Sequence, residues 1–460
     1  MDQRKEADEI IRAVLAASRP DAAVAAAVRK LPPCTSGGRT VLLAVGKAAC
    51  SMAVAALSVT GFAADQAMII TKYGHVDETA LVLLPETARS SLIIREAGHP
   101  VPDENSYRAT VEAIAMVQGL TVRDRVILLL SGGGSALFEK PLLPAEEIAD
   151  INRQLLSSGA EIGGINTIRK RLSAVKGGRF ARLCAPAQVI TIALSDVLSD
   201  APDQIASGPA CADPTTCDDA IRIVEEYGLR LTEKALQLLR QETPKELPNA
   251  SVQIIGSMRI ARRAAAKACA GLGYDTLMFL PPLTCQAQEA GRFLGALARK
   301  AHMEGRRLAI VAGGETVVRL PEDHGLGGRN QEAALAAAPM LAGRKGLCFF
   351  SLGTDGTDGP TNAAGGIVTG DSFRRLEACA GGLTAASLCR HDAYHALQAC
   401  NGLLITGPTG TNVNDICVAL ADPVADDTVR AKHGKNIRNP VSKIDKPFWR
   451  CYHSKHQRRK

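Results

Sequence analysis

The sequence predicts an α/β protein of two domains with mainly parallel sheets, and three observations support this fold class. Short apolar runs typical of buried strands alternate along the chain with longer helical segments. Glycine is plentiful, with 42 residues, and aromatic residues make up only 3 %, which suits close packing of helices on a sheet. At 460 residues the chain is long enough for two domains or more, each with its own core.

Composition argues against several classes of protein. No apolar run reaches the length of about eighteen residues that a membrane helix needs, and the charged start, MDQRKEADEIIRAVL, is unlike a cleavable signal peptide. The low aromatic content argues against a nucleic-acid-binding surface that stacks bases on aromatic side chains. Thirteen cysteines without a C-x-x-C pair give no zinc spacing and fit a reducing compartment. We therefore expect a cytoplasmic protein that binds neither membrane nor nucleic acid.

The first domain is predicted to begin with one or two helices over residues 1–30, followed by a strand at Thr40–Val45. Gly46 and Lys47 come next, and open α/β sheets bind ligands at the carboxyl ends of their strands. We therefore expect Lys47 at a binding edge, with an ordinary surface lysine as the alternative. The segment is not a P-loop, because that motif needs a glycine at position 41 and a hydroxyl residue at position 48.

The strongest anion-binding candidate of the first half follows a predicted strand at residues 126–130. It reads SGGGSALF, and three glycines between a strand and a helix can turn backbone amides towards an anion. A glycine turn made for close packing is the alternative. The residues of this cradle are Ser131, Gly132, Gly133, Gly134 and Ser135.

Two other polar segments belong to the predicted sheet edge. Strands are expected at residues 67–71 and 92–96, and the second leads to His99, either a base or ligand or a residue that fixes its loop. Asp196 follows a strand at residues 189–194, where general bases and Mg²⁺ ligands occur, with a helix cap as the alternative.

A basic segment at residues 165–181 lies between the predicted strands at residues 126–130 and 189–194. Because no aromatic residues interleave its charges, we expect a partly exposed helix with one or two bases facing the cleft, and not a nucleic-acid site. Its cations are Arg169, Lys170, Arg171, Lys176 and Arg179.

The polar stretch QETPKELPNA, which holds two prolines, predicts the domain boundary. We assign residues 1–245 to the first domain, residues 246–421 to the second and residues 422–460 to a basic tail. Strands at residues 252–256 and 276–280 are expected to open the second domain.

A second glycine-rich anion loop follows a predicted strand at residues 308–312. It begins with Gly313, Gly314 and Glu315, and it ends just before a predicted helix at residues 330–341, whose free N–H groups favour an anion. Arg329 adds a planar donor fork suited to phosphate. The alternative is a tight turn with a surface arginine. The residues expected to bind substrate or phosphate here are Gly327, Gly328 and Asn330.

An acidic loop, GTDGTDGPTNAAGG, follows the predicted strand at residues 347–352. Asp355 and Asp358 lie three positions apart in a glycine-rich backbone, and such carboxylates suit Mg²⁺. A pair of aspartate-capped turns is the alternative. Two anion loops and an acidic loop together predict a site for nucleotide phosphates with a metal.

The motifs GGETVVRL, GLGGRNQEAAL and SLGTDGTDGPTNAAGG resemble the signature region of the type-2 glycerate kinases. GKAA, GHPVPDE, KRLSAVKGGR and TGPTGTNVND extend the resemblance over residues 5–421. It implies a Rossmann-like first domain and an active site in the interdomain cleft. It also implies transfer of the γ-phosphate of ATP, with Mg²⁺, to the 2-hydroxyl of D-glycerate, giving 2-phosphoglycerate and ADP.

The resemblance also implies roles for individual residues. Lys47 and Arg329 would neutralise phosphate charge, and Asp196 would orient or deprotonate the hydroxyl. The cradle would hold either the glycerate carboxylate or a phosphate. Glu315 and Asp355 would support Mg²⁺. The expected partners are D-glycerate and ATP, and a homodimer is the assembly considered.

Two other functions remain open. Relatives of this kind are often labelled hydroxypyruvate reductase, but an NAD(P)H-dependent reductase needs a G-x-G-x-x-G fingerprint, which the sequence does not contain. A non-catalytic sugar-acid binding protein is the other alternative; a missing catalytic lysine or acidic loop would support it, and the sequence has both. Asn362 stands where many relatives have Asp or Glu, and activity would be reduced if that position contributes to metal binding.

The predicted tail accounts for the basic charge of the chain. Residues 422–460 hold eleven Lys/Arg and four Asp, which equals the whole net charge of +7. Little hydrophobic periodicity and one tryptophan, Trp449, mark this segment, so we expect it to be disordered and dispensable.

Overall fold

The computed structural model describes residues 3–379 and 383–423, which fold around two six-stranded sheets covered by helices. The α/β class predicted from the sequence is confirmed. The predicted apolar runs coincide with strands, except that the run at residues 276–280 extends two residues beyond its strand, which ends at Met278. The runs at residues 40–45 and 126–130 are buried throughout, which suits strands covered on both faces, whereas the strands at residues 92–97, 250–256 and 275–278 are partly exposed.

The first sheet is entirely parallel, and its strand order is β3-β2-β1-β4-β5-β6. This is the order of doubly wound dinucleotide-binding folds, in which the loops after β1 and β4 diverge and leave a crevice. Its strands are β1 (Thr40–Val45), β2 (Gln66–Lys72), β3 (Leu92–Ala97), β4 (Arg125–Leu130), β5 (Gln188–Leu194) and β6 (Ala250–Gly256).

Helices cover both faces of the first sheet, and four of them form an additional layer with its own apolar core. This core includes Leu155, Ile168 and Leu239. The four helices around it are α8 (Ala145–Ser157), α9 (Ile162–Arg171), α11 (Cys217–Glu226) and α12 (Glu233–Leu239). The helices are α2 (Pro20–Arg29), α3 (Ala49–Leu57), α4 (Glu78–Val82), α5 (Glu86–Ser90), α6 (Glu104–Met116), α7 (Gly134–Leu137), α8 (Ala145–Ser157), α9 (Ile162–Arg171), α10 (Arg179–Cys184), α11 (Cys217–Glu226) and α12 (Glu233–Leu239), with a 3₁₀ turn at Ile205–Ser207.

The second sheet is mixed, with the order β11-β10-β9-β12-β8-β7. Only β7 and β8 pair in parallel, and the other neighbours are antiparallel because the last strand inserts between β8 and β9. Its strands are β7 (Asp275–Met278), β8 (Leu308–Gly314), β9 (Leu347–Gly353), β10 (Gly365–Thr369), β11 (Leu403–Leu404) and β12 (Asp415–Ala421).

The helices of the second unit include one that is almost completely enclosed. The alanines of α15 lie against α14 and the sheet, where small side chains allow close packing. These helices are α1 (Gln3–Ser18), α13 (Met258–Gly271), α14 (Ala287–Met303), α15 (Arg329–Leu341), α16 (Ser372–Glu377), α17 (Leu383–Cys389) and α18 (Ala393–Ala399). In the part of the chain that the structure describes, no helix is long and apolar enough to cross a membrane.

The two units do not divide where the sequence suggested. The strand expected to open the second domain is β6, and it pairs in parallel with β5 at the edge of the first sheet. Conversely, α1 packs on α13, and its buried Glu6 accepts a hydrogen bond of 2.6 Å from Tyr274. The polar stretch with two prolines marks an exposed loop, and polarity alone does not say which sheet the next strand joins.

The predicted tail lies largely outside the described residues, and so does Trp449. Its first residue, Asp422, belongs to the fold. The backbone N–H of Asp422 donates to the carbonyl of Gly346 at 2.8 Å, and its carboxylate lies 3.5 Å from Arg307. Position 422 is therefore a correction to the predicted start of the tail.

Candidate active site

Lys47 lies at the crevice of the first sheet, where the loops after β1 and β4 meet. Its backbone N–H donates to the carbonyl of Gly132 at 2.9 Å, and the N–H of Ala48 donates to the Ser131 hydroxyl at 3.1 Å. Ser131 is buried and ties the two loops together, so its hydroxyl faces the protein and not a ligand. Ser131 thus supports the junction of the two loops, and its assignment to substrate binding stays a prediction.

The glycines of the predicted cradle are required by the side chains packed against them. A Cβ atom on Gly132 would lie 2.4 Å from the carboxylate of Asp196, and one on Gly133 would lie 2.9 Å from the ring of His99. Gly133 also has a left-handed φ of 88°, which favours glycine. The cradle is therefore the point at which Asp196, His99 and Lys47 converge.

The other two residues of the cradle pack against the 3₁₀ turn. A Cβ on Gly134 would lie 2.6 Å from the side chain of Ala206. The Ser135 hydroxyl lies 2.9 Å from that of Ser207. Both residues lie where the sequence predicted, and their role in binding a ligand remains a prediction.

Asp196 is the carboxylate best placed to act as a base. Burial raises its pKa above the usual range, the positive charge of Lys47 opposes the rise, and the negative charge of Glu315 adds to it. Glu315 follows β8 of the second sheet, so the second unit contributes to the electrostatic environment of Asp196. A carboxylate with a raised pKa holds a proton more strongly once it has accepted one.

His99 is neutral at physiological pH. Burial and the nearby charges of Lys47, Lys72 and His75 lower its pKa to about 4. A neutral imidazole next to the cradle can donate or accept a hydrogen bond, but it adds no positive charge to an anion site.

Arg329 is held between two carboxylates at the edge of the second sheet. Its Nε and Nη2 donate to the two oxygens of Asp415 at 2.6 and 3.1 Å, and its Nη1 donates to Glu315 at 2.9 Å. Burial raises the pKa of Asp415 to about 6, although Arg329 lowers it. The guanidinium is therefore rigidly placed, with two of its five N–H groups left for a further acceptor.

Asp415 and Asn414 are site residues that the sequence reasoning missed. Strand β12 runs antiparallel between β8 and β9, so Asp415 lies opposite both Gly314 and Gly353. This register brings the start of β12 to the ends of the two predicted ligand loops. The available signal was the segment TGPTGTNVND, but its position depends on a strand order that local sequence does not specify.

The predicted Mg²⁺ ligands, Glu315 and Asp355, lie at the same edge. The side-chain oxygen of Asn414 is buried there without a partner, while its amide nitrogen lies 3.5 Å from Glu315. Asp355 uses one oxygen to accept the N–H of Thr357 at 3.0 Å. Within residues 3–379 and 383–423, no three His, Cys, Asp or Glu side chains are grouped as a metal cage. The side-chain oxygens of Glu315, Asp355 and Asn414 nevertheless suit Mg²⁺, because this ion usually keeps waters and phosphate oxygens in its coordination shell and needs few protein ligands.

Asp358 occupies the helix start that was expected to bind phosphate. Its carboxylate accepts the backbone N–H groups of Asn330 and Gln331 at 3.0 and 2.8 Å and both of their side-chain amides. Asn330 is buried and also accepts a bond from the Ser351 hydroxyl. Of the two aspartates in the acidic loop, Asp358 thus follows the capping alternative.

The glycines before α15 also serve this capped arrangement. A Cβ on Gly328 would lie 2.3 Å from the carboxyl carbon of Asp358, and one on Gly327 would lie 3.3 Å from the backbone of Ala393. The anion at this helix start is thus a carboxylate of the chain itself, and the expectation that Gly327, Gly328 and Asn330 bind phosphate stays a prediction.

A cavity of about 470 Å³ lies beside the cradle, between the first sheet and α8 and α9. Asp196, Gly133 and Ser135 line it from the sheet edge, and Asn152 and Arg169 line it from the helical layer. The residues lining this cavity all come from the first unit, so an active site in the interdomain cleft stays a prediction.

The basic segment is mostly internal. Lys170 and Arg171 are buried and paired with Asp213, and Lys176 is buried and paired with Glu139. A partly exposed helix was expected here, and the difference arises because Glu139, which follows α7, and Asp213, which follows the 3₁₀ turn, neutralise these charges. The expectation that one or two bases face the cleft corresponds to Arg169.

Comparisons with known proteins agree with this architecture. The first unit matches the domain of unknown function DUF4147 over residues 6–240, and the second matches the MOFRL family over residues 308–415. The chain is 44 % identical to the D-glycerate 2-kinase of Thermotoga maritima, over 91 % of this chain and 98 % of that protein.

Further relatives and a solved structure extend the comparison. The glycerate 2-kinase of Pyrococcus horikoshii is 39 % identical over 83 % of this chain and 87 % of its own length. A protein of Agrobacterium vitis provisionally named hydroxypyruvate reductase is 40 % identical over 87 % of this chain and 92 % of its own length. The crystal structure of the Thermotoga maritima glycerate kinase superposes with a TM-score of 0.85, covering 91 % of this chain and 99 % of that one. The chain belongs to the glycerate kinase family.

Proposed function

We propose that this protein transfers the γ-phosphate of ATP to the 2-hydroxyl of D-glycerate, giving 2-phosphoglycerate and ADP. The observation that carries the proposal is the convergence of Lys47, Asp196 and the Gly132–Gly133 backbone at the crevice, with Glu315 of the second unit close enough to affect Asp196. Phosphoryl transfer depends mainly on positioning and on charge neutralisation, and this site supplies both.

Each charged residue has a distinct part in the proposed mechanism. Asp196 accepts the proton of the substrate hydroxyl, and its raised pKa makes it a better base than an exposed aspartate. Lys47 stabilises the charge on the transferred phosphoryl group from the first unit. Arg329, fixed by Asp415 and Glu315, does so from the second unit.

Glu315, Asp355 and Asn414 are the residues that would hold Mg²⁺. When bound, the ion supplies positive charge that neutralises phosphate oxygens. The unpartnered oxygen of Asn414 supports this assignment, since a buried acceptor without a donor is costly unless a ligand satisfies it.

The test is an assay of ADP release with purified protein, D-glycerate, ATP and Mg²⁺, each omitted in turn. We expect ADP only when all are present. A parallel trace with NADH and hydroxypyruvate tests the reductase alternative, which the name of the Agrobacterium vitis relative raises. Oxidation of NADH at a comparable rate without ADP release would reject the proposal.

The homodimer and the cytoplasmic location remain predictions. Light scattering after size-exclusion chromatography measures the molar mass and so tests the homodimer.

A further inference from the structure

Arg169 and Arg179 are the two cations of the basic segment that pair with no carboxylate among the described residues. Arg179 donates to the backbone carbonyls of Arg171 and Ser173, whereas Arg169 lines the cavity. Lys170, Arg171 and Lys176 each pair with an acidic side chain. Among the residues that the structure describes, no carboxylate lies within 4.0 Å of the Arg169 guanidinium. Burial lowers the pKa of Arg169, and the negative charge of Glu139, which is already paired with Lys176, opposes this shift.

The surroundings of Arg169 hold its guanidinium in a fixed orientation. Its Nε donates to the side-chain oxygen of Asn152 at 2.7 Å, which joins α9 to α8. Arg169 and Asn152 both line the cavity of about 470 Å³. The bond to Asn152 uses Nε alone, so Nη1 and Nη2 stay available to the cavity, and two N–H groups of a guanidinium match the two oxygens of a carboxylate.

The opposite wall of the same cavity carries the residues of the proposed chemistry. Asp196 and the Gly133–Ser135 part of the cradle line it, and Asp196 is the proposed base for the hydroxyl. A hydroxy acid has a carboxylate and a hydroxyl on adjacent carbons. The cavity offers a free cation for the first group and a base for the second.

We propose that Arg169 binds the carboxylate of the hydroxy-acid substrate and determines specificity for acids over neutral polyols, and that Asn152 is a positioning residue for Arg169. This inference rests on the proposed function. It also assigns the glycine cradle, for which carboxylate and phosphate were both open, to the phosphate.

The test compares steady-state kinetics of the wild type with those of Arg169→Ala, Arg169→Lys and a matched control. We expect Arg169→Ala to raise KM for D-glycerate by about 10- to 100-fold, the effect of losing a charge-assisted hydrogen-bonded pair. KM for MgATP should change by less than about twofold, because Arg169 lines the cavity from the helical layer, while Lys47, Arg329 and the glycine cradle are the proposed phosphate contacts. Arg169→Lys should fall between these values, because a lysine keeps the charge and loses the planar fork.

The control is Arg153→Ala, one position after Asn152 on α8. Arg153 is exposed, and its only recorded ion pair within the described residues is a surface contact with Asp150 at 2.8 Å. This variant removes an arginine charge from α8, the neighbouring helix that carries Asn152, and Arg153 does not line the cavity, so its KM for D-glycerate should equal that of the wild type.

Two variants of Asn152 test the positioning role. Asn152→Ala should raise KM for D-glycerate by several-fold, with kcat retained, because Arg169 loses its fixed orientation. Asn152→Asp keeps an acceptor for Nε but adds an internal carboxylate that competes with the substrate, so its KM should rise further. A purely structural role for Asn152 would instead leave the aspartate variant closer to the wild type than the alanine variant, and would reject the assignment.

Calorimetric titration with D-glycerate, and with glycerol as the neutral probe, separates this inference from the proposed function. Binding of D-glycerate that is lost in Arg169→Ala supports the inference, even if no ADP forms, whereas absent ADP release rejects only the kinase function. An unchanged KM or affinity in Arg169→Ala overturns the inference, and so does a rise confined to KM for MgATP. If melting curves show that the alanine variant is unfolded, Arg169→Lys decides by the same criteria.

Discussion

Replacing Asp358 with alanine should destabilise the second unit strongly, because this carboxylate is the cap of α15. It accepts two backbone N–H groups and two side-chain amides from Asn330 and Gln331, at distances of 2.8 to 3.2 Å. The site is buried, so water cannot easily replace the lost acceptor. Both neighbours of the cap are buried as well, which leaves their donors without partners in the variant.

The expected loss can be estimated from the bonds removed. Loss of a helix cap costs about 0.5–2 kcal/mol, and leaving a buried donor unsatisfied costs about 1–3 kcal/mol. Since the four bonds share one carboxylate, their contributions do not add fully. We expect the free energy of unfolding to fall by about 3–5 kcal/mol, at the upper end of single substitutions.

Urea denaturation of the two purified proteins measures this difference, and Asp371→Ala is the matched control. Asp371 also precedes a helix, α16, but its side chain is exposed, makes no cap bond and pairs only weakly with Arg374 at 3.4 Å. The control should change the free energy of unfolding by less than about 0.5 kcal/mol.

The outcome also decides between the two interpretations of the acidic loop. Asp358→Asn, which keeps one acceptor oxygen, should lie between the wild type and the alanine variant in stability. If the free energy of unfolding of Asp358→Ala lies within about 1 kcal/mol of the wild-type value but the variant loses activity, Asp358 acts on the ligand and the capping argument is refuted.

Three further predictions concern the site and the end of the chain. Lys47→Ala and Arg329→Ala should each lower kcat by about 10²–10³-fold, with melting temperatures that change little for Lys47→Ala; either variant that keeps half of the wild-type turnover is wrongly assigned. Because burial raises the pKa of Asp196, the active carboxylate should be lost as pH falls through a value above its usual 3.8, and this acid limb of kcat/KM should vanish in Asp196→Asn. Removal of residues 424–460 should shift the melting temperature by only a few degrees and preserve activity, because β12 ends at Ala421; precipitation of the truncated chain would contradict this.

The parts of the fold that sequence could predict are those set by local pattern. Buried apolar runs located β1 and β4, and the residues that follow them, Lys47 and the glycine cradle, lie at the predicted sheet edge. Glycine runs signalled close approach of the backbone, which the packing of Asp196 against Gly132 explains.

The remaining parts depend on contacts between distant segments. Asp415 reaches Arg329 only because β12 inserts between β8 and β9, and a local pattern does not contain that order. Asp358 and Asp355 look alike in sequence, and burial under α15 distinguishes them. The basic segment holds five cations that look alike in sequence. Among the described residues, Arg169 is the one of these five that lines the cavity and has no acidic partner.

Phosphorus NMR of the complete reaction tests the central claim most directly. The purified protein is incubated with D-glycerate, ATP and Mg²⁺, and the spectrum resolves which hydroxyl carries the new phosphate. The account predicts 2-phosphoglycerate and ADP in equal amounts from the wild type and neither from Asp196→Asn. A phosphate on the 3-hydroxyl would contradict the proposed product. Equal product from the variant would contradict the assignment of Asp196 as the base at the crevice.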